Sequence, residues 1–112
     1  MIKFEKRYNG QGEVAVLYSP GYGAGWSTWA LSDDEREASM YDSRIVDMVL
    51  AGKASEITSE FIENLWEVEH FYAGGAERLC VEWIGVGNQF RINEYDGFET
   101  IEINANVDWD VA

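Results

Sequence analysis

The stretch from Phe90 to Ile103 can pair with itself in one register that satisfies nearly every residue in it. At its centre stands Asp96-Gly97, a dipeptide that two-residue hairpin turns select because both central positions need positive φ. With that turn, Tyr95 faces Phe98, Glu94 faces Glu99, Asn93 faces Thr100, Ile92 faces Ile101, Arg91 faces Glu102 and Phe90 faces Ile103. Apolar residues meet apolar ones and Arg meets Glu. Glu94 against Glu99 is the one unfavourable pair, since like charges across a ladder repel. From Ile101 the odd positions read Ile, Ile, Ala, Val, Trp, Val and the even ones Glu, Asn, Asn, Asp, Asp. A period of two carried to Val111 predicts one long strand with a packing face and an acidic stripe.

A second hairpin is expected at the start of the chain, where Asn9-Gly10 separates residues 2–8 from Glu13 to Tyr18. Between the hairpins lie three helix signals. Ser32-Asp33-Asp34-Glu35 fits a capping box, with acids in the first turn where the helix dipole favours them. Asp42 can cap a second helix carrying Ile45, Val46, Met48, Val49 and Leu50 and stopping at Gly52. Thr58 can cap a third, with Ile57 stapled onto Ile62 and Phe61, Ile62, Leu65 and Trp66 on one face. Ala73-Gly74-Gly75 then leads into a strand over Leu79 to Ile84. Together these pieces predict a single α+β domain over residues 1–112. Its antiparallel or mixed sheet has about five strands, with two or three helices inserted between the second and third. Helices set between hairpins, and not alternating with single strands, weigh against a doubly wound nucleotide fold.

Twenty-one acids against eight bases leave a net charge of −13, which repels nucleic acid and favours basic protein surfaces. Direct nucleic-acid binding is therefore not expected. No apolar run approaches the ~20 residues needed to cross a bilayer. The basic start Met1-Ile2-Lys3-Phe4-Glu5-Lys6-Arg7 lacks the apolar core of a signal peptide, so a soluble, cytoplasmic protein is expected. The single Cys80 has no partner for a disulfide and no metal-spaced neighbour, and it reads as a small buried hydrophobe. No cofactor and no metal is expected. Asn104, Asn106, Asp108 and Asp110 lack the glycine and glutamate of a calcium loop, and the lone His70 beside Glu67 and Glu69 reads as structural.

The segment Tyr18-Ser19-Pro20-Gly21-Tyr22-Gly23-Ala24-Gly25-Trp26-Ser27-Thr28-Trp29 is the sharpest functional signal. Its glycine spacing is neither the dinucleotide fingerprint nor a P-loop. It can still form an anion-binding nest of backbone N–H groups, with Ser27 and Thr28 as added donors and Tyr22, Trp26 and Trp29 as stacking surfaces. Such a site suits a phosphate-bearing, base-containing ligand. No Lys or Arg lies within the loop, so Arg36, Arg44, Arg78 or Arg91 would supply the charge through the fold or from a second subunit. The competing reading makes Trp26 and Trp29 core anchors. The candidate ligand-binding set is Tyr18, Tyr22, Gly23, Gly25, Trp26, Ser27, Thr28, Arg91, Glu94 and Glu99. The Glu94/Glu99 pair can hold a cation, accept a partner's Arg, serve as an acid/base couple, or simply face solvent beyond the end of the core.

Four segments, taken in order, carry a resemblance. They are Val14-Ala15-Val16-Leu17-Tyr18, Gly21 through Trp29, Asp42-Ser43-Arg44-Ile45-Val46-Asp47-Met48-Val49-Leu50, and Arg91-Ile92-Asn93-Glu94-Tyr95-Asp96-Gly97-Phe98-Glu99. This set resembles small uncharacterised proteins of tailed bacteriophages that share a Glu-Tyr-Asp-Gly-x-Glu hairpin. The resemblance implies a phage source and carries no chemistry, and small acidic phage proteins often look like inhibitors of host defence. Two non-enzymatic routes follow. In one, the aromatic and glycine loop and the Glu94/Glu99 hairpin end form a pocket that sequesters a nucleotide-derived immune signal without cleaving it, with a homo-oligomer helping to bury the ligand. In the other, the even-numbered acids of the last strand, about 6.6 Å apart, imitate phosphates and block a CRISPR or restriction complex.

Overall fold

The computed structural model describes residues 2–21, 25–104 and 110–111. The chain is α+β, as expected, but its strands divide between two antiparallel sheets. Strand β1 (Glu13–Tyr18) pairs with β2 (Cys80–Gly85), while β3 (Gln89–Tyr95) lies between β4 (Phe98–Asn104) and the two-residue β5 (Asp110–Val111). Helices α1 (Asp33–Tyr41), α2 (Ser43–Leu50) and α3 (Ser59–Trp66) all fall between β1 and β2, so the expected placement between a second and a third strand is corrected.

That correction begins at Asn9. Its side-chain Oδ1 accepts the N–H groups of Gln11 and Glu13 at 3.0 and 3.1 Å, which closes a loop wider than the two-residue turn expected of Asn9-Gly10. Among the described residues the segment before it pairs its backbone with β1 only at the Tyr8 to Val14 bridge and the Ala15 N–H on the Arg7 carbonyl, while Ile2 and Phe4 join the clusters that β1 enters. Its remaining carbonyls turn to α2: Glu5 accepts the Ser43 N–H at 2.8 Å and Lys3 accepts Arg44 Nη2 at 3.0 Å. Residues 2–7 thus form a strap across the start of a helix, and β1 pairs with β2 instead.

β1 is apolar at Val14, Ala15, Val16 and Leu17 because both of its faces are covered. Ala15 and Leu17 enter a cluster with Ile45, Val46, Ile57, Ile62, Trp66, Phe71 and Trp26. Val14 and Val16 enter another with Met40, Tyr41, Ile84 and Phe90, against which Ile92 and Ile101 pack. Each fully buried aliphatic side chain contributes about 2 kcal/mol, so this strand joins the helical layer to the β3–β4 hairpin.

The local signals for the helices hold. Ser32 Oγ accepts the Glu35 N–H at 3.2 Å, Asp42 Oδ1 accepts the Arg44 N–H at 2.9 Å and Thr58 Oγ1 accepts the Phe61 N–H at 3.1 Å. α2 stops at Gly52, where the Lys53 N–H reaches the Met48 carbonyl and the Gly52 N–H that of Val49. The β3–β4 register matches the expected one at every pair, and both turn residues have positive φ, 50° at Asp96 and 84° at Gly97. The long last strand does not form. β4 ends at Asn104, and β5 pairs with the opposite edge of β3 through Gln89 to Val111 and Phe90 to Asp110. Asn106 and Asp108 lie outside the described residues.

Asp42 does more than cap a helix. It is fully buried, its two oxygens take Arg44 Nε at 3.0 Å and Nη2 at 2.8 Å, and Oδ2 also accepts Trp66 Nε1 at 2.7 Å. The hydrogen bond to Asp42 raises the pKa of Arg44, burial opposes that shift, and the carboxylate charge reinforces it. Removing the carboxylate strands a buried indole N–H and a helix terminus together. Asp42→Ala is expected to cost about 3 kcal/mol or more, against about 1 kcal/mol for Thr58→Ala at its exposed cap. Urea denaturation of the two variants checks this; equal losses would mean that Asp42 is only a cap.

Candidate functional site

The aromatic and glycine loop folds around a carboxylate of the protein itself. Glu99, on β4, is fully buried. Its Oε1 accepts the Ser19 N–H at 2.9 Å, and its Oε2 accepts the N–H groups of Trp26 at 2.7 Å and Thr28 at 3.1 Å as well as the Thr28 hydroxyl. The Glu99 backbone N–H donates in turn to the Ser19 carbonyl at 2.9 Å. Among the described residues no cation touches this carboxylate, so converging N–H and O–H dipoles balance it. Of the donors expected from the sequence, Thr28 does donate, but to Glu99, and the other N–H groups on this carboxylate come from Ser19 and Trp26.

This geometry changes the reading of several residues. Trp26 is 1% exposed, and its Nε1 donates to the Ser39 carbonyl at 2.6 Å. Its ring meets Phe71 edge to face, so it anchors the core and offers no stacking surface. Ser27 and Gly25 are buried with it, and a Cβ at Gly25 would come within 2.7 Å of the Trp29 ring. Tyr22 and Gly23 lie outside the described residues. Glu94 and Glu99 do sit opposite each other, but they do not both face solvent: Glu94 is exposed and its Oε2 accepts the Gly97 N–H at 2.7 Å, while Glu99 is sealed inside. Arg91 Nη2 stands 3.6 Å from Glu102 Oε1, an exposed pair of little energetic weight. Tyr18 ends β1 half-buried. Its phenol is pushed above the ordinary 10.0 by burial first, then by Cys80 and Glu82.

What the loop leaves outside is a pair of rings. Trp29, 40% exposed, stacks on Tyr72, 59% exposed, with centroids 6.1 Å apart and planes 20° from parallel. The loop after α3 holds this pair in place, since the Ser19 hydroxyl donates to the Gly75 carbonyl at 2.7 Å. Tyr72 was not foreseen as part of a site, because nothing in its local sequence marks it.

Two clefts among the described residues lie away from this loop. A cleft of about 420 Å³ is lined by Lys3, Phe4, Glu5, Ser43 and Arg44, and a smaller one of about 220 Å³ by Lys3, Arg44, Leu65, Trp66 and Glu67. Of these residues only Arg44 was considered from sequence, as a source of charge for the glycine loop. The others come together through the strap that replaced the first strand. Among the described residues, no three His, Cys, Asp or Glu side chains converge as a metal site would require, and no helix is long and apolar enough to cross a membrane. Comparison with protein-family models, with curated proteins and with solved structures finds no match to this chain.

Two outcomes test the Glu99 clamp and the Tyr18 phenol. Glu99→Ala orphans three N–H donors and is expected to lose about 4 kcal/mol in urea unfolding. Glu99→Gln should recover only part of it, since either amide orientation sets an NH2 against an N–H; near-native stability for the alanine variant would end the clamp's structural role. For Tyr18, the native state favours the neutral phenol, so the stability that depends on it is present below pH 10.0 and lost as pH rises through the raised native value. Tyr18→Phe should therefore show a shallower alkaline loss of urea midpoint than the parent protein.

Proposed function

We propose that this chain works by binding and not by chemistry, as a phage-type counter-defence protein whose acidic exterior occupies a basic surface of a host CRISPR or restriction complex in the host cytoplasm. One observation carries the reading: among the described residues Asp42 and Glu99 are the only acidic residues buried as a whole, so most of the described acids face solvent at least in part. Several bases are already matched internally, Arg7 with Asp47, Arg44 with Asp42 and Arg91 with Glu102, which leaves the outward field to the acids. Such a field steers a basic partner and selects it over neutral ones.

The acids that serve this reading are not those of a single strand. Glu102 is engaged by Arg91 and by Asn93 Nδ2, Asp110 lies in β5 on the opposite edge of β3, and Asp108 lies outside the described residues. Exposed Asp33 and Glu37, one turn apart on α1, are better placed as a contact.

Capture of a nucleotide-derived signal remains a second reading, and the exposed Trp29–Tyr72 stack favours it, since paired rings offer a face to a base. It ranks second because Glu99 already holds the Trp26 and Thr28 amides that were to receive a phosphate.

A panel of purified CRISPR and restriction complexes tests the first reading by co-elution. The expected complex dissolves as salt rises, and Asp33→Asn with Glu37→Gln should weaken it about tenfold near 0.15 M salt. A panel in which no member binds in a salt-dependent way sinks it. Retention of a labelled nucleotide pool that disappears in the Trp29→Ala, Tyr72→Ala double variant would instead promote capture.

A further inference from the structure

We propose that the cleft between the N-terminal strap and the start of α2 is a binding site for the phosphate group of a phosphate monoester, held by Lys3, Ser43 and Arg44. This goes beyond the partner-binding reading and does not depend on it. The site lies apart from the Glu99 clamp and is built from residues forty positions apart in the chain, brought together when the strap crosses α2.

Three sets of donors open onto this space. Arg44 is held rigidly, because Nε and Nη2 are fixed on the buried Asp42 carboxylate and Nη2 also reaches the Lys3 carbonyl. Among the described residues its Nη1 has no hydrogen-bond partner, which leaves one edge of a preorganised guanidinium for an anion. Ser43 is 9% exposed and lines the cleft, and among the described residues its hydroxyl has no hydrogen-bond partner. The exposed Lys3 side chain completes the set. The Ser43 and Arg44 backbone N–H groups are already taken by the Glu5 carbonyl and by Asp42 Oδ1, so Arg44 Nη1, the Ser43 hydroxyl and the Lys3 ammonium are the donors offered to a ligand.

Size and lining narrow the ligand. About 420 Å³ exceeds what a bare phosphate needs and falls in the range of small-molecule sites. Phe4 gives one apolar wall. Glu5, on the rim, opposes a second anion and accepts from a donor, so the ester's other part should present a hydroxyl or amine. In a protein of net charge −13, Asp42 beneath Arg44 and Glu5 beside it also limit the affinity for free anions.

Amide NMR titration with adenosine monophosphate, inorganic phosphate and adenosine, at matched ionic strength, tests the site. The monophosphate should give saturable shifts confined to residues 3–5, 43–44 and their neighbours, and should bind at least fivefold tighter than either of the other two probes. Lys3→Ala should weaken it about fivefold and Ser43→Ala about threefold, while Lys53→Ala, at an exposed lysine past α2, should leave it unchanged; unmoved resonances elsewhere report that each variant is folded. Shifts scattered over all lysines and arginines without saturation overturn the proposal, as do variants that bind like the parent. Adenosine binding as well as its monophosphate would remove the anion site, and inorganic phosphate binding as tightly would remove the monoester.

Discussion

The Glu99 carboxylate, buried and among the described residues without a cation, is the constraint on which the loop between β1 and α1 depends. Burying a carboxylate costs several kcal/mol unless donors replace its water, and Ser19, Trp26 and Thr28 supply them. Those donors belong to a loop that is otherwise rich in glycine and would be expensive to order. Each side thus removes the other's cost: the carboxylate orders the loop, and the loop solvates the carboxylate. Once the Trp26 amide is held at Oε2, its indole is directed into the core, where it reaches the Ser39 carbonyl and Phe71. A segment that looks built for a guest is occupied by its own hairpin.

Asp42 repeats this physics in the helical half. It gathers a helix terminus, a guanidinium and an indole N–H around one buried carboxylate, and it fixes Arg44 where the N-terminal strap crosses. The two hubs divide the charge of the protein into two populations. Asp42 and Glu99 act inside as organisers, while most of the other acids among the described residues are exposed at least in part. Between strap and helix, where the strap does not pair as a strand, a cleft is lined by Lys3, Phe4, Glu5, Ser43 and Arg44.

Elements governed by neighbours a few residues away were legible in the chain. The Asp96-Gly97 turn set the β3–β4 register pair by pair, and Ser32, Asp42 and Thr58 started the helices that their spacing announced. Where a local rule competed with a distant partner, it failed. Asn9-Gly10 is a good turn dipeptide, yet the Asn9 side chain closed a wider loop and the strap's carbonyls found α2. Period-two alternation past Asn104 announced a continuous strand, but β5 lies at the far edge of β3, a choice that alternation cannot report. The candidate site was half legible. Thr28 was expected as a donor and Glu99 as a member of the same candidate set, but that the two meet each other, a glutamate some seventy to eighty residues away closing on the loop's own N–H groups, was not legible.

The sequence by itself therefore determined the α+β class, the three helix starts, the C-terminal hairpin register and a net charge of −13. These follow from capping, turn chemistry, side-chain periodicity and charge, which act over a few residues or do not depend on shape. Only the tertiary structure decided which strand β1 joins, which carboxylate fills the glycine loop, that Trp26 is core while Trp29 is surface, and where a cleft opens. Each of these depends on which distant donor meets which acceptor once water is excluded, and that pairing is set in space, not along the chain.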